Sequence, residues 1–253
     1  MRAPNQAIIF AAGKGSRLGH HTKDLPKTLL NIGNLTIFDR IIIGLDRIGI
    51  RDVIVVTGYA GAKLQSHALS VSSRLAKNQL NFEFIMNNDL DIGNIYSFWL
   101  AREKMMDDFI LLNSDVVFDY RILDLLKNNN HTSALVVDNF RPLGREEMKV
   151  KFENELLVRY ISKDLDPLTA NGEYIGIMKM TSDTARQVTL KVEQLMRQRK
   201  FPLYYEDAFK LVAEEQDCFF ACSTEGLPWT EIDTIEDMNY ARSIIMPQIE
   251  NLA

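Results

Sequence analysis

The sequence predicts an α/β fold in which a mostly parallel, mixed sheet lies between layers of helices. Three observations carry this reading. Short apolar runs alternate with amphipathic segments through the first half of the chain. The first apolar run ends in a glycine-rich, basic loop, the junction at which α/β sheets hold anionic ligands. The chain has 253 residues, 46% of them hydrophobic, enough for one large α/β core.

The elements follow in order. Ala7–Ala11 reads as a strand, Ile37–Ile48 as a helix and Val53–Thr57 as a strand. Phe82–Met86 is a strand, Ile92–Arg102 a helix, Phe109–Leu112 a strand, Tyr120–Lys127 a helix and Ala134–Val137 a strand. This rhythm implies parallel strands with helices on both faces, a Rossmann-like three-layer α/β/α arrangement. Loops at the strand carboxyl ends then build the site. After about Asp138 the pattern changes. Met148–Phe152 and Leu157–Ile161 flank Glu153-Asn154-Glu155 as a hairpin, and Tyr174–Met180 is a further strand. Thr181–Gln198 is helical by periodicity with Ser182 or Asp183 as cap. Tyr205–Ala213 is helical, Phe219–Cys222 a strand and Thr234–Ile244 a closing helix. One domain over residues 1–253 is expected, with a Rossmann-like part to about 138, a small β-rich insertion over 139–230 and a C-terminal helix over 234–250.

Composition narrows the function. Asp and Glu (34) outnumber Lys and Arg (29), a net charge of −5, which argues against general nucleic-acid or anionic-membrane binding. No apolar run approaches a membrane span. The first residues, Met1 to Gln6, lead into a strand without a secretory apolar region. Cys218 and Cys222 are too few for a zinc site and read as buried free thiols, which fits a cytoplasmic protein.

Against this acidic background the loop is basic. Ala11, Ala12, Gly13 and Gly15 leave room for a ligand to reach backbone N–H groups. Lys14, Arg17, Lys23 and Lys27 crowd a stretch in which only Asp24 opposes them. The stretch is not G-x-x-x-x-G-K-[ST]. It is not the dinucleotide fingerprint either, since Gly19 falls one residue late, Leu18 holds the third position and Asp46 is the only acid near the required place.

Two acids complete the pattern. Asp115 follows the apolar run Phe109–Leu112 and the polar pair Asn113-Ser114. At the tip of a central strand it can hold a divalent ion over a bound phosphate, or simply make a turn. Asp233 precedes a helix carrying Glu236 and Asp237, the place of a capping residue.

Phe10-Ala11-Ala12-Gly13-Lys14-Gly15-Ser16-Arg17-Leu18, with Pro26-Lys27, resembles the L-A-A-G-x-G-[ST]-R-L…P-K signature of the nucleotidyltransferases that make sugar nucleotides and CDP-alcohols. Thr57-Gly58-Tyr59 and Trp229-Thr230-Glu231-Ile232-Asp233-Thr234 match further elements of that family. Asn87-Asn88, Gly93-Asn94-Ile95-Tyr96-Ser97 and Ile161-Ser162-Lys163-Asp164-Leu165 look like its phosphocholine-type cytidylyltransferases.

The resemblance implies a nucleotidyltransferase fold, nucleotide binding over about 1–138 and acceptor binding over about 139–230. It implies CTP and a small phosphate or phosphonate acceptor, such as phosphocholine or aminoethylphosphonate, as partners. It implies Mg²⁺ shared by Asp115 and Asp233. Ala11, Ala12, Gly13, Lys14, Gly15, Ser16, Gly58, Asn87, Asn94 and Ser97 are then nucleotide-binding, and Arg17, Lys27 and Lys163 catalytic. Lys163, Glu173, Tyr174, Tyr205, Glu206 and Trp229 are the acceptor candidates, the aromatic and acidic ones forming a box for an amine or serving only as core. Asn94 can equally cap a helix, and Lys163 can equally be a solvated charge. A homodimer is compatible with the sequence. Two alternatives stand beside this reading: a sugar-1-phosphate nucleotidyltransferase using UTP, dTTP or GTP, and a catalytically silent nucleotide-sensing module.

Overall fold

The computed structural model describes residues 4–74, 78–198 and 202–251; the reading of Met1–Ala3 lies outside them. The first half runs β1 (Gln6–Ala11), a small hairpin β2–β3 (Asn31–Ile32 and Leu35–Thr36), α1 (Ile37–Arg47), β4 (Asp52–Thr57), α2 (Gly61–Arg74) and β5 (Asn81–Met86). It continues with α3 (Asn94–Ala101), β6 (Phe109–Asn113), β7 (Val116–Phe118), α4 (Arg121–Asn128) and β8 (Ala134–Asp138). The second half adds β9 (Lys149–Phe152), β10 (Val158–Ser162), β11 (Gly172–Met180), α5 (Ser182–Gln198), α6 (Tyr205–Glu215), β12 (Phe220–Ser223) and β13 (Trp229–Glu231). Helix α7 (Ile235–Tyr240) runs through a π-helical turn into α8 (Met246–Asn251).

Strands β5, β4, β1 and β6 pair in parallel in that order. Strand β11 joins β6 antiparallel, β8 joins β11 antiparallel, and β12 joins β8 in parallel. The expected mixed, mostly parallel sheet is therefore present. The hairpin β9–β10 attaches to the first residues of β11, at the end of the sheet where β1 and β6 finish.

Alternation along β1 divides the core. Ala7, Ile9 and Ala11 join the buried cluster under α1 and α2, while Ile8 and Phe10 join the one under α3 and α6. Ile8 and Ile9 are fully buried, so truncating either to alanine would cost about 2–5 kcal/mol. Helix α1 begins with a reciprocal cap. Thr36 accepts the Asp39 amide and Asp39 accepts the Thr36 amide, each at 3.0 Å.

Three features depart from the sequence reading. Helix α2 was not expected, because its polar Ser66, Ser70, Ser72 and Ser73 dilute the apolar stripe of Leu64, Ala68 and Val71. Strands β7 and β13 form a separate antiparallel ribbon, too short for periodicity to reveal. The hairpin β2–β3, with two residues in each strand, escapes periodicity in the same way. Cys218 and Cys222 are free thiols, and burial pushes both up, Cys218 to about 11.

Candidate active site

The loop after β1 leaves the sheet between β4 and β6 and forms one wall of a cleft of about 400 Å³. Ala11 and Ala12 are buried at its base, and Gly13, Lys14, Ser16 and Arg17 are exposed along its rim. The loop closes as a tight turn, with Leu18 N–H donating to Gly15 O at 3.0 Å and the Thr22 hydroxyl donating to the same oxygen at 2.8 Å. Gly58 supports it from behind. A Cβ there would fall 2.7 Å from the Ala12 carbonyl, so only glycine lets the β4 turn approach this closely. Gly58 does not line the cleft, and neighbouring Tyr59 hydrogen-bonds the Lys23 carbonyl.

The ribbon β7–β13 brings the acids together. Glu231 pairs with Val116, and Ile232 N–H donates to Asp115 O at 2.9 Å, so the segments around Asp115 and Asp233 lie side by side. The alternative of Asp233 as a cap gives way to its successor. Thr234 caps α7 by accepting the Asp237 amide at 3.2 Å, and Asp237 accepts the amides of Asp233 and Thr234. The Asp233 carboxylate is left for the cleft.

Lys27 stands between the two acids. Its Nζ is 2.9 Å from Asp115 Oδ2 and 2.6 Å from Asp233 Oδ1, while Arg17 reaches Asp233 Oδ2 at 2.6 Å. Burial works against the Lys27 charge, but Asp115 and Asp233 outweigh it and hold the ammonium above its ordinary value. Burial likewise opposes the Asp233 charge, and Lys27 and Arg17 still hold its carboxyl below the usual range. Glu231 is pushed up to about 8 by burial and then by Asp115 and Asp233, although its side chain keeps an exposed edge toward the cleft.

The donor set fits a divalent cation. One carboxylate oxygen from each of Asp115, Glu231 and Asp233 lies within 4.8 Å of the others. Asp115 Oδ1 is buried without a hydrogen-bond partner among the described residues. Hard oxygens with one acceptor unsatisfied suit magnesium, which takes few carboxylates and completes its shell with phosphate oxygens and water.

Asn87, Asn94 and Ser97 line the opposite wall. Asn94 does not cap its own helix. Its Oδ1 accepts the amide of Tyr205 at 2.9 Å, 111 residues on, and so caps α6 instead. The hairpin β9–β10 delivers Lys163 to the cleft, with Nζ 5.1 Å above the Tyr204 ring. No histidine lines the cleft among the described residues.

The aromatic and acidic box expected for the acceptor does not face the cleft. Tyr174, Tyr205, Glu206 and Trp229 are all buried. The Trp229 indole donates to Asp138 Oδ2 at 2.7 Å beneath Arg141. Glu173 does not line the cleft, and burial first and then Glu147 and Asp138 push it up to about 7. Residues with apolar bodies and one polar tip pack inward when a buried partner satisfies that tip, as Asp138 does for Trp229. The cleft wall there is Tyr204, Lys163 and Glu231. Sequence reasoning left Tyr204, Asn113 and Glu231 without site roles. The polar tip of an apolar strand marked Asn113, and the two-residue spacing to Asp233 marked Glu231.

A mixed α/β sheet with a basic glycine loop and a carboxylate cluster at its strand ends defines a class of enzyme that handles nucleoside phosphates. Residues 6–144 match the nucleotidyl transferase family model, more than half of the 253 residues, and the chain belongs to that family. It is 28% identical over 256 residues to a CTP:phosphoglutamine cytidylyltransferase of Campylobacter jejuni, covering 92% of this chain and 97% of the relative. It is 30% identical over 146 residues to a CMP-5'-(3-aminopropyl)phosphonate synthase of Streptomyces rubellomurinus, covering 56% of this chain and 22% of that protein. The CTP:phosphocholine cytidylyltransferase of Streptococcus pneumoniae shares the fold at a TM-score of 0.79 and 22% identity, with 94% and 98% of the two chains covered. An inositol-1-phosphate CTP transferase from T. maritima shares it at 0.80 and 20% identity, with 98% and 97% covered. No described helix is long and apolar enough to cross a membrane.

Proposed function

We propose that this nucleotidyltransferase moves CMP from CTP to a small phosphorylated or phosphonylated alcohol or amine and releases pyrophosphate. The observation that carries the reading is the cluster at the floor of the cleft, where Lys27 spans Asp115 and Asp233 directly beneath the basic loop. Two similar proteins are named for cytidylyl or CMP chemistry on a phosphoryl or phosphonyl compound, which supports the same nucleotide and the same kind of acceptor.

In this reading the amides of Gly13 to Gly15, with Lys14 and Arg17, bind the triphosphate. Asn87, Asn94 and Ser97 line the base and ribose end. Asp115, Asp233 and Glu231 would hold Mg²⁺. When bound, the ion would supply positive charge against the negative charge developing on the phosphates. Lys27 stabilises charge around the α-phosphate, and Lys163 orients the acceptor phosphate. A phosphate monoester has its second pKa near ~6, so it is mostly dianionic at neutral pH and attacks the α-phosphorus without a general base. Catalysis then rests on positioning and electrostatics.

The outer wall suggests the acceptor. Lys163, held above the Tyr204 ring, offers a cation for its phosphoryl group. The test is pyrophosphate release from CTP with phosphocholine, aminoethylphosphonate, phosphoglutamine, inositol phosphate and glycerol phosphate. Turnover with an amine-bearing acceptor, abolished by EDTA, supports the reading. Turnover only with UTP, dTTP or GTP and a sugar 1-phosphate would replace it, and nucleotide binding without turnover would make the chain a silent sensor.

A further inference from the structure

Three asparagines reach the cleft, Asn87, Asn94 and Asn113. An asparagine side chain accepts at one tip and donates at the other, so its orientation decides what a ligand meets. Backbone donors fix two of them. Asp89 N–H donates to Asn87 Oδ1 at 2.9 Å, which turns Asn87 Nδ2 to Ser97 Oγ at 3.2 Å. Tyr205 N–H donates to Asn94 Oδ1 at 2.9 Å, which turns Asn94 Nδ2 toward Glu206 Oε2 at 3.5 Å. Asn113 is fixed by a side chain, since the Tyr205 hydroxyl donates to Asn113 Oδ1 at 3.1 Å.

Tyr205 is fully buried and Glu206 is 5% exposed, so neither lies in the cleft wall. Packing alone does not require their polar groups. The Tyr205 ring sits among Phe10, Phe98 and Phe209, where a phenylalanine would fill the same space. A hydroxyl and a carboxyl in such a place are costly unless they serve a partner. The opposite side of Asn113 is shaped as well. Gly176 has φ +77°, and a Cβ there would fall 2.6 Å from Asn113 Nδ2, so strand β11 makes room for this side chain.

We propose that Tyr205 and Glu206 are positioning residues that lock Asn113 and Asn94, respectively, in the orientation in which they meet the nucleotide. With both carbonyl tips engaged, Asn113 Nδ2 and the one Asn94 Nδ2 hydrogen not given to Glu206 remain to serve ligand oxygens, such as a ribose hydroxyl or a pyrimidine carbonyl. One helix start thereby sets two groups of the cleft. The inference rests on the nucleotide reading of this cleft and reassigns two residues that the sequence suggested for the acceptor.

The test uses the full-length protein and the triphosphate that the wild type turns over best. Tyr205→Phe should raise the nucleotide KM roughly 3- to 10-fold, the size of one neutral hydrogen bond. The acceptor KM should hold. Asn113→Ala combined with Tyr205→Phe should be no worse than Asn113→Ala alone, because the Tyr174 hydroxyl that Tyr205 still meets at 3.3 Å is buried away from the cleft. If Tyr205→Phe does not fold, Glu206→Met should raise the nucleotide KM and fall silent in an Asn94→Ala background, while Glu206→Gln keeps an acceptor and stays near wild type. An unchanged nucleotide KM, a rise in both KM values, or losses that multiply in the double variants would overturn the proposal. A wild type that prefers another triphosphate contradicts the CTP reading and leaves this comparison intact. If there is no turnover, calorimetric binding of CTP replaces KM, and absence of binding overturns both readings.

Discussion

Lys27 Nζ lies 2.6 Å from Asp233 Oδ1, a contact that joins the turn after the first strand to the entry of the last helix, 206 residues later. The same ammonium is 2.9 Å from Asp115. Three segments distant in sequence thus meet at one charge, and much of the cleft's electrostatics follows from how that charge is shared.

The first expectation concerns Asp115. Its buried Oδ1 has no hydrogen-bond partner among the described residues, so the side chain is poised to take a cation. Asp115→Asn keeps the shape and removes the charge. Turnover should fall at least ~10²-fold with the circular dichroism spectrum unchanged. Near-normal turnover would remove Asp115 from the chemistry.

The second concerns Lys27. Lys27→Met leaves Asp115, Glu231 and Asp233 facing one another without their buried cation. We expect lower kcat/KM for both substrates and a lower Tm, since an uncompensated buried charge is costly. Added Mg²⁺ should raise the Tm of the variant more than that of the wild type, because a ligand of the folded state stabilises it in proportion to its affinity. Equal Mg²⁺ shifts in both proteins would show that Lys27 does not compete for these acids.

The third concerns pH and Glu206. Burial pushes this carboxyl up to about 7, from an ordinary value of 4.5. Below pH 4.5 both folded and unfolded chains hold the proton. Between 4.5 and 7 only the folded chain does, so each rise in pH costs stability, and above 7 the full cost is present. That cost is of order 3 kcal/mol. Glu206→Gln never ionises, so its Tm should exceed that of the wild type at pH 8 and match it near pH 4.5. Glu173 and Glu231 titrate in both proteins and cancel in the comparison. A Tm difference independent of pH would contradict the assignment.

Much of this architecture was legible in the sequence. Strands such as Ala7–Ala11 and Phe109–Leu112 carry dense apolar runs bounded by glycine or polar tips, and burial on both faces requires such runs. The basic loop was legible because several positive residues and two glycines crowd one turn. What escaped notice has physical reasons. The ribbon β7–β13 is only three residues long in each strand and is held by partners more than a hundred residues apart, so no local period marks it.

Orientation was the least legible. Tyr205, Glu206 and Trp229 have the composition of a ligand box, but Asn113, Asn94 and Asp138 satisfy their polar tips from within. Asn94 sits where a helix starts and so resembles a cap, yet it caps a different helix. Pairings of this kind depend on tertiary approach, which a single sequence does not encode locally.

The measurement closest to the central claim is kcat/KM for CTP against UTP, made in the wild type at matched concentrations of the best acceptor. Cytosine and uracil present opposite polarity at positions 3 and 4. A cleft whose polar groups match cytosine therefore leaves one of them mispaired with uracil, at about 1–3 kcal/mol. We predict a preference for CTP of about one to two orders of magnitude, with purine triphosphates poorer still. Equal or better use of UTP would contradict the cytidylyl assignment and favour a sugar-nucleotide synthase.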